Sequence, residues 1–397
     1  MESRRLSLSR TRDRTASLTG LRAVAALLIV GTHAAYGTGQ LADGYLGALY
    51  ARLEVGVPIF FVLSGFLLFR PWVRAAADAT PRPSLRRYAI HRLRRIVPGY
   101  LVVVLIAYTL YHFRDAGPNP GHTWKGVLEH LTLTQIYEPV YFYVMHQGLT
   151  QTWSLATEFA FYAVLPLLAG LLLTVVCKGV WRPGLLLAGL GCLAAVTPAW
   201  LWLQHGTDWL PSSAGMWLPA HLIYFVGGMA LAVLQVVGAR AQGLIMGAVA
   251  VVSHLIVSSP IAGNVITGEA ALWQILVKVA LYAAVGCAAV AALVLSEGHG
   301  FERLLQSAPV VWLGEISYEV FLLHVIAMEI VMASVLRWPV FTGSWPVVFV
   351  ATLAMTIPAA SLLHRWTRPA SATAVPPIGG RTDHSRRQLI PASGSRS

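Results

Sequence analysis

Ten stretches of this chain are apolar and long enough to cross a lipid bilayer, at roughly 18–39, 55–72, 96–112, 152–176, 184–204, 216–237, 242–259, 270–295, 311–334 and 345–363. A helix rises about 1.5 Å per residue, so about 20 such residues cover a hydrocarbon core roughly 30 Å thick. Composition agrees: 56% of the residues are hydrophobic and 12% are charged, against roughly 25% charged in an ordinary soluble domain. The expected fold is all-α, a polytopic membrane protein with about ten transmembrane helices. The first stretch follows a basic leader and precedes the small residues Ala34 and Ala35, as in a secretory signal. It is long for that role, and we read it as a retained helix.

The net charge of +12 raises the question of a nucleic-acid partner, which the position of the charges answers. Twenty-four of the 29 basic residues fall on the side of the two termini, four (Arg52, Arg114, Lys125, Arg337) fall on the other, and Lys278 lies inside a stretch. Cytoplasmic loops collect Lys and Arg, so this asymmetry places both termini in the cytoplasm of a multi-pass plasma-membrane protein. The basicity is topological, and no nucleic-acid partner is expected. The expected organisation is a basic cytoplasmic segment at 1–17, a membrane domain at 18–365 and a cytoplasmic tail at 366–397, which is rich in Pro, Gly, Ser and Arg and reads as disordered.

Charged and titratable residues inside a bilayer are costly and mark function. Arg22 and His33 are 11 residues apart in LTGLRAVAALLIVGTH, close to three helical turns, so both face one way. His33 lies about 22 Å from the cytoplasmic edge, near the outer surface, and Glu158 about 9 Å below the outer edge in a helix running the opposite way. His324 comes out at about the same level. A lone membrane histidine is more often a packed residue than a catalyst, and for His324 that reading stands. Lys278 calls for a carboxylate partner such as Glu319, and we read that pair as purely structural. Ser64, in FFVLSGFLL, has the look of a nucleophile, but small residues in membrane helices usually serve packing.

Two polar regions flank the spans. In SLRRYAIHRLRRIVPGY, Arg92 and Arg95 are neighbours on a helix. Guanidinium pairs match phosphate oxygens, although, judged alone, lipid anchoring and topology are the better account of a basic flank. In the external loop 113–151, Trp124, Val127, Leu128 and Leu131 recur at helical spacing before Tyr141, Phe142 and Tyr143. That is the pattern of an amphipathic helix with aromatic anchors on the outer membrane surface, either a simple lid or the rim of an acceptor site. The spacing of His122, Glu129, His130 and His146 does not call for a metal, and none is expected. Cys177, Cys192 and Cys287 form no metal or redox spacing.

Five motifs in order, LTGLRAVAALLIVGTH, VGVPIFFVLSGFLL, RRYAIHRLRRIVPGY, QTWSLATEFAFYAVLPLL and WLGEISYEVFLLH, resemble the acyltransferase type 3 family of integral membrane acyltransferases, from about residue 17 to 365. The resemblance implies a ten-helix domain that moves an acyl group, most commonly acetyl, from cytoplasmic acyl-coenzyme A (acyl-CoA) to a hydroxyl. The acceptor is an envelope or extracytoplasmic carbohydrate, such as a glycolipid or polysaccharide, or a small natural product. Carried over by motif, Arg22 and His33 match residues that family members need for activity, Arg92 and Arg95 match the pair associated with the coenzyme A end, and Glu158 matches the acidic residue after Trp-Ser-Leu. A second acidic or polar residue often follows there, where this chain has Phe159. Glu319 replaces an expected small polar residue, and the esterase-like domain appended in some relatives is missing.

The expected chemistry follows from the residue types. A neutral imidazole removes a hydroxyl proton near pH 7, so His33 is the candidate base and Glu158 the candidate partner of its second ring nitrogen, as in a triad. Arg92 and Arg95 are the candidate phosphate ligands of the donor, and Arg22 lines its path. Direct transfer and a route through acyl-histidine both remain open. A transporter or exporter also places ionisable residues in its spans, but no repeat or Gly/Pro-broken matching segments support one. A non-catalytic partner in envelope synthesis is the third reading.

Overall fold

The structure, a computed structural model, describes residues 2–114, 118–140, 145–265, 270–296 and 300–367, without the side chains of residues 2–14 and Gly300. The aromatic run at Tyr141, Phe142 and Tyr143, and the tail from Arg368 onward, lie outside the described residues. Among the described residues the regular structure is helical, with no strand. In order, the helices are α1 (Glu2–Gly37), α2 (Gly44–Ala51), α3 (Gly56–Ala77), α4 (Leu85–Phe113), α5 (Trp124–Thr132), α6 (Trp153–Gly170), α7 (Pro183–Ala194) and α8 (Val196–Gly206). They continue with α9 (Leu218–Val236), α10 (Gly243–Val257), α11 (Leu272–Val294), α12 (Gly300–Leu305), α13 (Ala308–Glu315), α14 (Ser317–Ile330) and α15 (Trp345–Thr367).

Nine helical segments among the described residues are long and apolar enough to cross a membrane, which makes the chain a polytopic membrane protein. The stretch expected at 242–259 is the exception. Its helix, α10, has 15 residues, about 22 Å and so short of a 30 Å core. It stops because the 3-10 turn Pro260–Ala262 begins just beyond, where proline cannot continue an α-helix. The stretch at 311–334 is also interrupted. Ser317 Oγ donates to Gly314 O at 2.8 Å, and the chain breaks between α13 and α14. Conversely, α4 begins 11 residues before its apolar part, so Arg86, Arg87, Arg92, Arg94 and Arg95 all ride on the helix.

The side chains pack into two apolar clusters. One joins α3, α9 and α11 with Leu21 and Ala25 of α1 and Phe161 and Leu165 of α6. The other joins α4, α14 and α15 with Val30 and Ala34 of α1 and Leu155 and Ala156 of α6. Helices α1 and α6 thus belong to both, and the seam between the clusters runs along them. The first cluster is pinned by a close crossing: a Cβ on Gly65 of α3 would strike the backbone of Phe225, and one on Gly228 of α9 the backbone of Val62. In lipid, where apolar burial offers little advantage, such small-residue contacts decide which helices become neighbours.

Candidate active site

The seam opens into a partly open cleft between the two clusters. Five helices line it. Helix α1 contributes Arg22 and Ile29, α3 contributes Phe61 and Ser64, α4 contributes Arg92 and Arg95, α6 contributes Glu158 and Tyr162, and α14 contributes Tyr318 and Phe321. Four of the five residues singled out from the sequence, Arg22, Arg92, Arg95 and Glu158, therefore meet in one cleft although they lie on three helices. His33 stands outside it, one helical turn beyond Ile29.

Glu158 does not hold His33, contrary to the triad expected from their common depth. Its Oε1 accepts from Ser64 Oγ and from Tyr162 OH at 2.6 Å. Tyr162 lies four residues after Glu158 on the same helical face, and its carbonyl accepts from Tyr88 OH at 3.0 Å. Ser64 is thus a polar member of the cleft wall, more than the packing residue expected. Tyr318 OH donates to Ile96 O at 2.9 Å and fixes α14 against α4. Arg92 is half-buried, and its Nε is buried without a hydrogen-bond partner among the described residues.

His33 has a different partner. Its Nδ1 lies 2.9 Å from Ile29 O and 3.2 Å from His324 Nε2, and His324 Nδ1 lies 2.7 Å from Phe321 O. A carbonyl only accepts, so both Nδ1 atoms carry the proton. The proton on His33 Nδ1 is then shared between Ile29 O and the lone pair of His324 Nε2. His33 Nε2 is left with its lone pair and no partner among the described residues, which is the form of a general base. His324, fully buried, is the neighbour that the sequence did not single out. Its depth matched that of His33, and that was the signal available.

Lys278 is also paired differently from the expectation. It contacts Glu54 at 3.0 Å, whereas Glu319, 1% exposed, lies 3.2 Å from His364 Nδ1. The reason is position along the bundle. Glu54 precedes α3 beside the C-terminal half of α1, where Thr32 Oγ1 donates to Ala51 O. Glu319 follows α13, whose Gly314 packs on Thr19 near the other end of that span of α1.

The loop after α4 contains the expected amphipathic helix. On α5, Trp124, Leu128 and Leu131 are exposed while His130 is buried. Glu129, with Glu138, attends Lys125, and burial raises the Glu129 carboxyl above its usual range. His130 Nδ1 meets Gly126 O at 2.8 Å and Tyr108 OH at 3.2 Å, and His122 Nδ1 meets His146 Nε2 at 3.3 Å. Burial pushes His146 down to about 3, helped by the positive charge that His130 and His122 can carry, and burial lowers His130 as well. Among the described residues no group of three or more His, Cys, Asp or Glu is arranged to hold a metal.

Comparison with known proteins agrees with the geometry. Residues 15–365 match the acyltransferase domain family known as acyltransferase 3. Acyltransferase MdmB of Streptomyces mycarofaciens is 28% identical over 379 residues, covering 88% of this chain and 90% of that protein. Nodulation protein 10 of Rhizobium leguminosarum bv. viciae is 27% identical over 320 residues, 76% of this chain and 78% of that one. Peptidoglycan O-acetyltransferase OatA of Listeria monocytogenes is 28% identical over 212 residues, 48% of this chain and 30% of the longer relative. No solved structure matches significantly. With nine membrane-length helical segments among the described residues, a cleft lined by three arginines and a family match over nearly its whole length, the chain belongs to the acyltransferase 3 family and is a membrane-embedded acyltransferase.

Proposed function

We propose that this protein is an O-acyltransferase of the plasma membrane, with both termini cytoplasmic. It moves an acyl group from acyl-CoA, acetyl-CoA being the donor to test first, to a hydroxyl of a carbohydrate-containing acceptor on the far side of the bilayer. The observation that supports this best is the placement of Ile29. Its side chain lines the arginine-bearing cleft while its carbonyl accepts from His33, so the end of the cleft adjoins the imidazole. The carbohydrate acceptor takes support from the name of one relative, a peptidoglycan O-acetyltransferase.

In this mechanism Arg92 and Arg95, on the Arg-rich start of α4, hold the donor phosphates with bidentate charge-assisted hydrogen bonds. The pantetheine arm runs past Arg22 toward Ile29, along a path of about 16 Å from Arg22 to His33. Glu158 keeps Ser64 and Tyr162 in place on the wall, and its Oε2 is available to accept an amide N–H of the arm. His33 Nε2 takes the proton of the acceptor hydroxyl as that oxygen attacks the thioester carbon. The carbon–sulfur bond breaks, and the departing thiolate recovers the proton from His33, giving the ester and free coenzyme A. During the step the imidazolium is stabilised by Ile29 O and His324 Nε2, which take the place that a carboxylate holds in a serine-protease triad.

The test is acetyl transfer from radiolabelled acetyl-CoA in membranes and acetyl-CoA binding by the purified chain. Transfer lost in His33→Ala, with binding lost in the Arg92→Ala/Arg95→Ala double variant, supports the proposal. Full transfer by His33→Ala overturns it. Substrate flux in proteoliposomes without any acyl donor favours an exporter.

A further inference from the structure

A second polar group of residues lies behind Phe61, outside the cleft lining. Phe61 lines the cleft and meets His221 of α9 edge to face at 5.7 Å. Within electrostatic reach of His221 lies Glu54. Its Oε1 accepts from Tyr282 OH at 2.8 Å and from Lys278 Nζ at 3.0 Å, and it lies 3.7 Å from an Arg52 guanidinium nitrogen. Arg52 is committed elsewhere, donating to Val257 O, Ala262 O and Gly263 O beyond the end of α10. All the donors around Glu54 thus converge on one oxygen. Oε2 has no partner among the described residues, although 44% of the side chain is exposed, and the Lys278 side chain is 34% exposed.

An ion pair that serves structure alone is best enclosed, with both oxygens satisfied. This pair is open, and an open carboxylate and ammonium do not face hydrocarbon, where each costs several kcal/mol. The exposed side therefore faces a wetted space within the bundle. His33, His221 and Tyr224 are all within electrostatic reach of Glu54. The 3-10 turn that carries Glu54, Arg52–Val55, packs on α1 just below His33, with Leu53 against Gly31 and Gly56 against Ile29.

We infer that Glu54 and Lys278 form the acceptor subsite and select a polyhydroxylated ligand, Glu54 Oε2 accepting from one hydroxyl and Lys278 Nζ donating to the oxygen of its neighbour. The 3.0 Å contact of Lys278 Nζ with Oε1 holds the free Oε2 and the ammonium side by side, and an adjacent acceptor and donor are complementary to a vicinal diol, which offers a neighbouring donor and acceptor. A monohydric alcohol satisfies only half of the pair. The inference rests on the acyl-transfer reading above and adds the residues that recognise the acceptor and the diol feature they select.

The test uses the full chain in intact cells, with Cys177, Cys192 and Cys287 replaced by Ala and Glu54→Cys as reporter. We expect a charged, membrane-impermeant maleimide added from outside to label the introduced thiol. In the parent chain, methyl glucoside is expected to inhibit acyl transfer to envelope saccharide several-fold, and 1-propanol at equal concentration is not. Labelling only by a lipid-soluble maleimide, or equal effects of the two alcohols, overturns the inference. In the parent background, Glu54→Gln is expected to lower acyl transfer to envelope saccharide about 10-fold or more, the loss of one charge-assisted hydrogen bond, with acetyl-CoA affinity held within about 2-fold. Equal loss of acetyl-CoA binding makes Glu54 structural and overturns the subsite. Failure of the acyl-transfer reading shows separately, as absence of acetyl-CoA binding by the parent chain.

Discussion

Glu158 and Glu54 are both carboxylates of the membrane core, but Glu158 takes hydrogen bonds from two hydroxyls, Ser64 and Tyr162, whereas Glu54 is met by an ammonium, Lys278, and a phenol, Tyr282. Neutral donors orient a carboxylate without cancelling its charge. Compensation for Glu158 comes from the arginines that line the same cleft, and the net character of that region is cationic. At Glu54 the ammonium cancels the charge on the spot, and the Arg52 guanidinium 3.7 Å away, held by backbone carbonyls, leaves that region less cationic than the cleft with its three arginines and one carboxylate. The inner cleft therefore suits a ligand with several negative charges, and the outer chamber suits an uncharged, hydroxyl-bearing one. In the proposed reaction the acyl group passes from one ligand to the other where the two regions adjoin, and that reading puts His33 there.

The sharpest way to break this comparison is to remove the group at the junction. His33→Ala is expected to reduce acyl transfer by about 10²- to 10⁴-fold, the usual worth of a general base, with acetyl-CoA binding retained; radiolabel transfer and filter binding read the two quantities. Next comes the charge of the inner cleft. Arg92→Ala and Arg95→Ala are each expected to raise KM for acetyl-CoA by about 10- to 100-fold, from loss of a charge-assisted hydrogen bond. The effect should shrink with added salt and leave the reactivity toward acceptor largely intact. A smaller change is expected for Tyr162→Phe, about 2- to 10-fold in kcat/KM, since a neutral hydrogen bond to Glu158 contributes about 0.5–1.5 kcal/mol. Equal sensitivity of donor and acceptor kinetics to all three would abolish the distinction between the two regions.

The smallest effect on transfer is expected from the outer loop. His146 is neutral in the folded protein and titrates near pH 3 there, against about 6.5 when unfolded. Its folded value is the lower one, so between these limits the unfolded loop binds more protons, and stability falls as pH drops from about 6.5 toward 3. Above pH 6.5 this group contributes no pH dependence. Limited proteolysis across the loop from pH 7 to pH 4 should show increasing cleavage in the parent and a flatter response in His146→Gln, with transfer at pH 7 changed little.

Much of the fold was legible because a membrane helix satisfies its own backbone. Nine of the ten apolar stretches form helices of spanning length, and the tenth fell short because Pro260 ends it, a breaker visible in the chain. The arginines of α4 could be assigned to a helix from their i, i+3 spacing. The candidate site was legible in part. Depth brought His33, Glu158 and His324 to one level, helical phase put Arg22 on the same side of its helix as His33, and the family resemblance supplied Arg92 and Arg95. Two pairings failed. Glu158 was assigned to His33, and Lys278 to Glu319, yet the structure gives His33 to His324 and Lys278 to Glu54.

Both failures have one physical cause. A residue's position along its helix fixes its height, and its phase fixes the side of the helix it occupies; these follow from the 1.5 Å rise and 3.6-residue turn, which are local. The sequence by itself therefore determined the spanning helices, the charge asymmetry of the loops and the level of each polar residue. Which helix stands next to which is decided by contacts between distant segments, such as Gly65 and Gly228 letting α3 and α9 approach backbone to backbone. Only the tertiary structure placed α14, with His324, beside α1, and α11, with Lys278, beside Glu54, because in lipid neighbours are chosen by close packing and hydrogen bonding between helices.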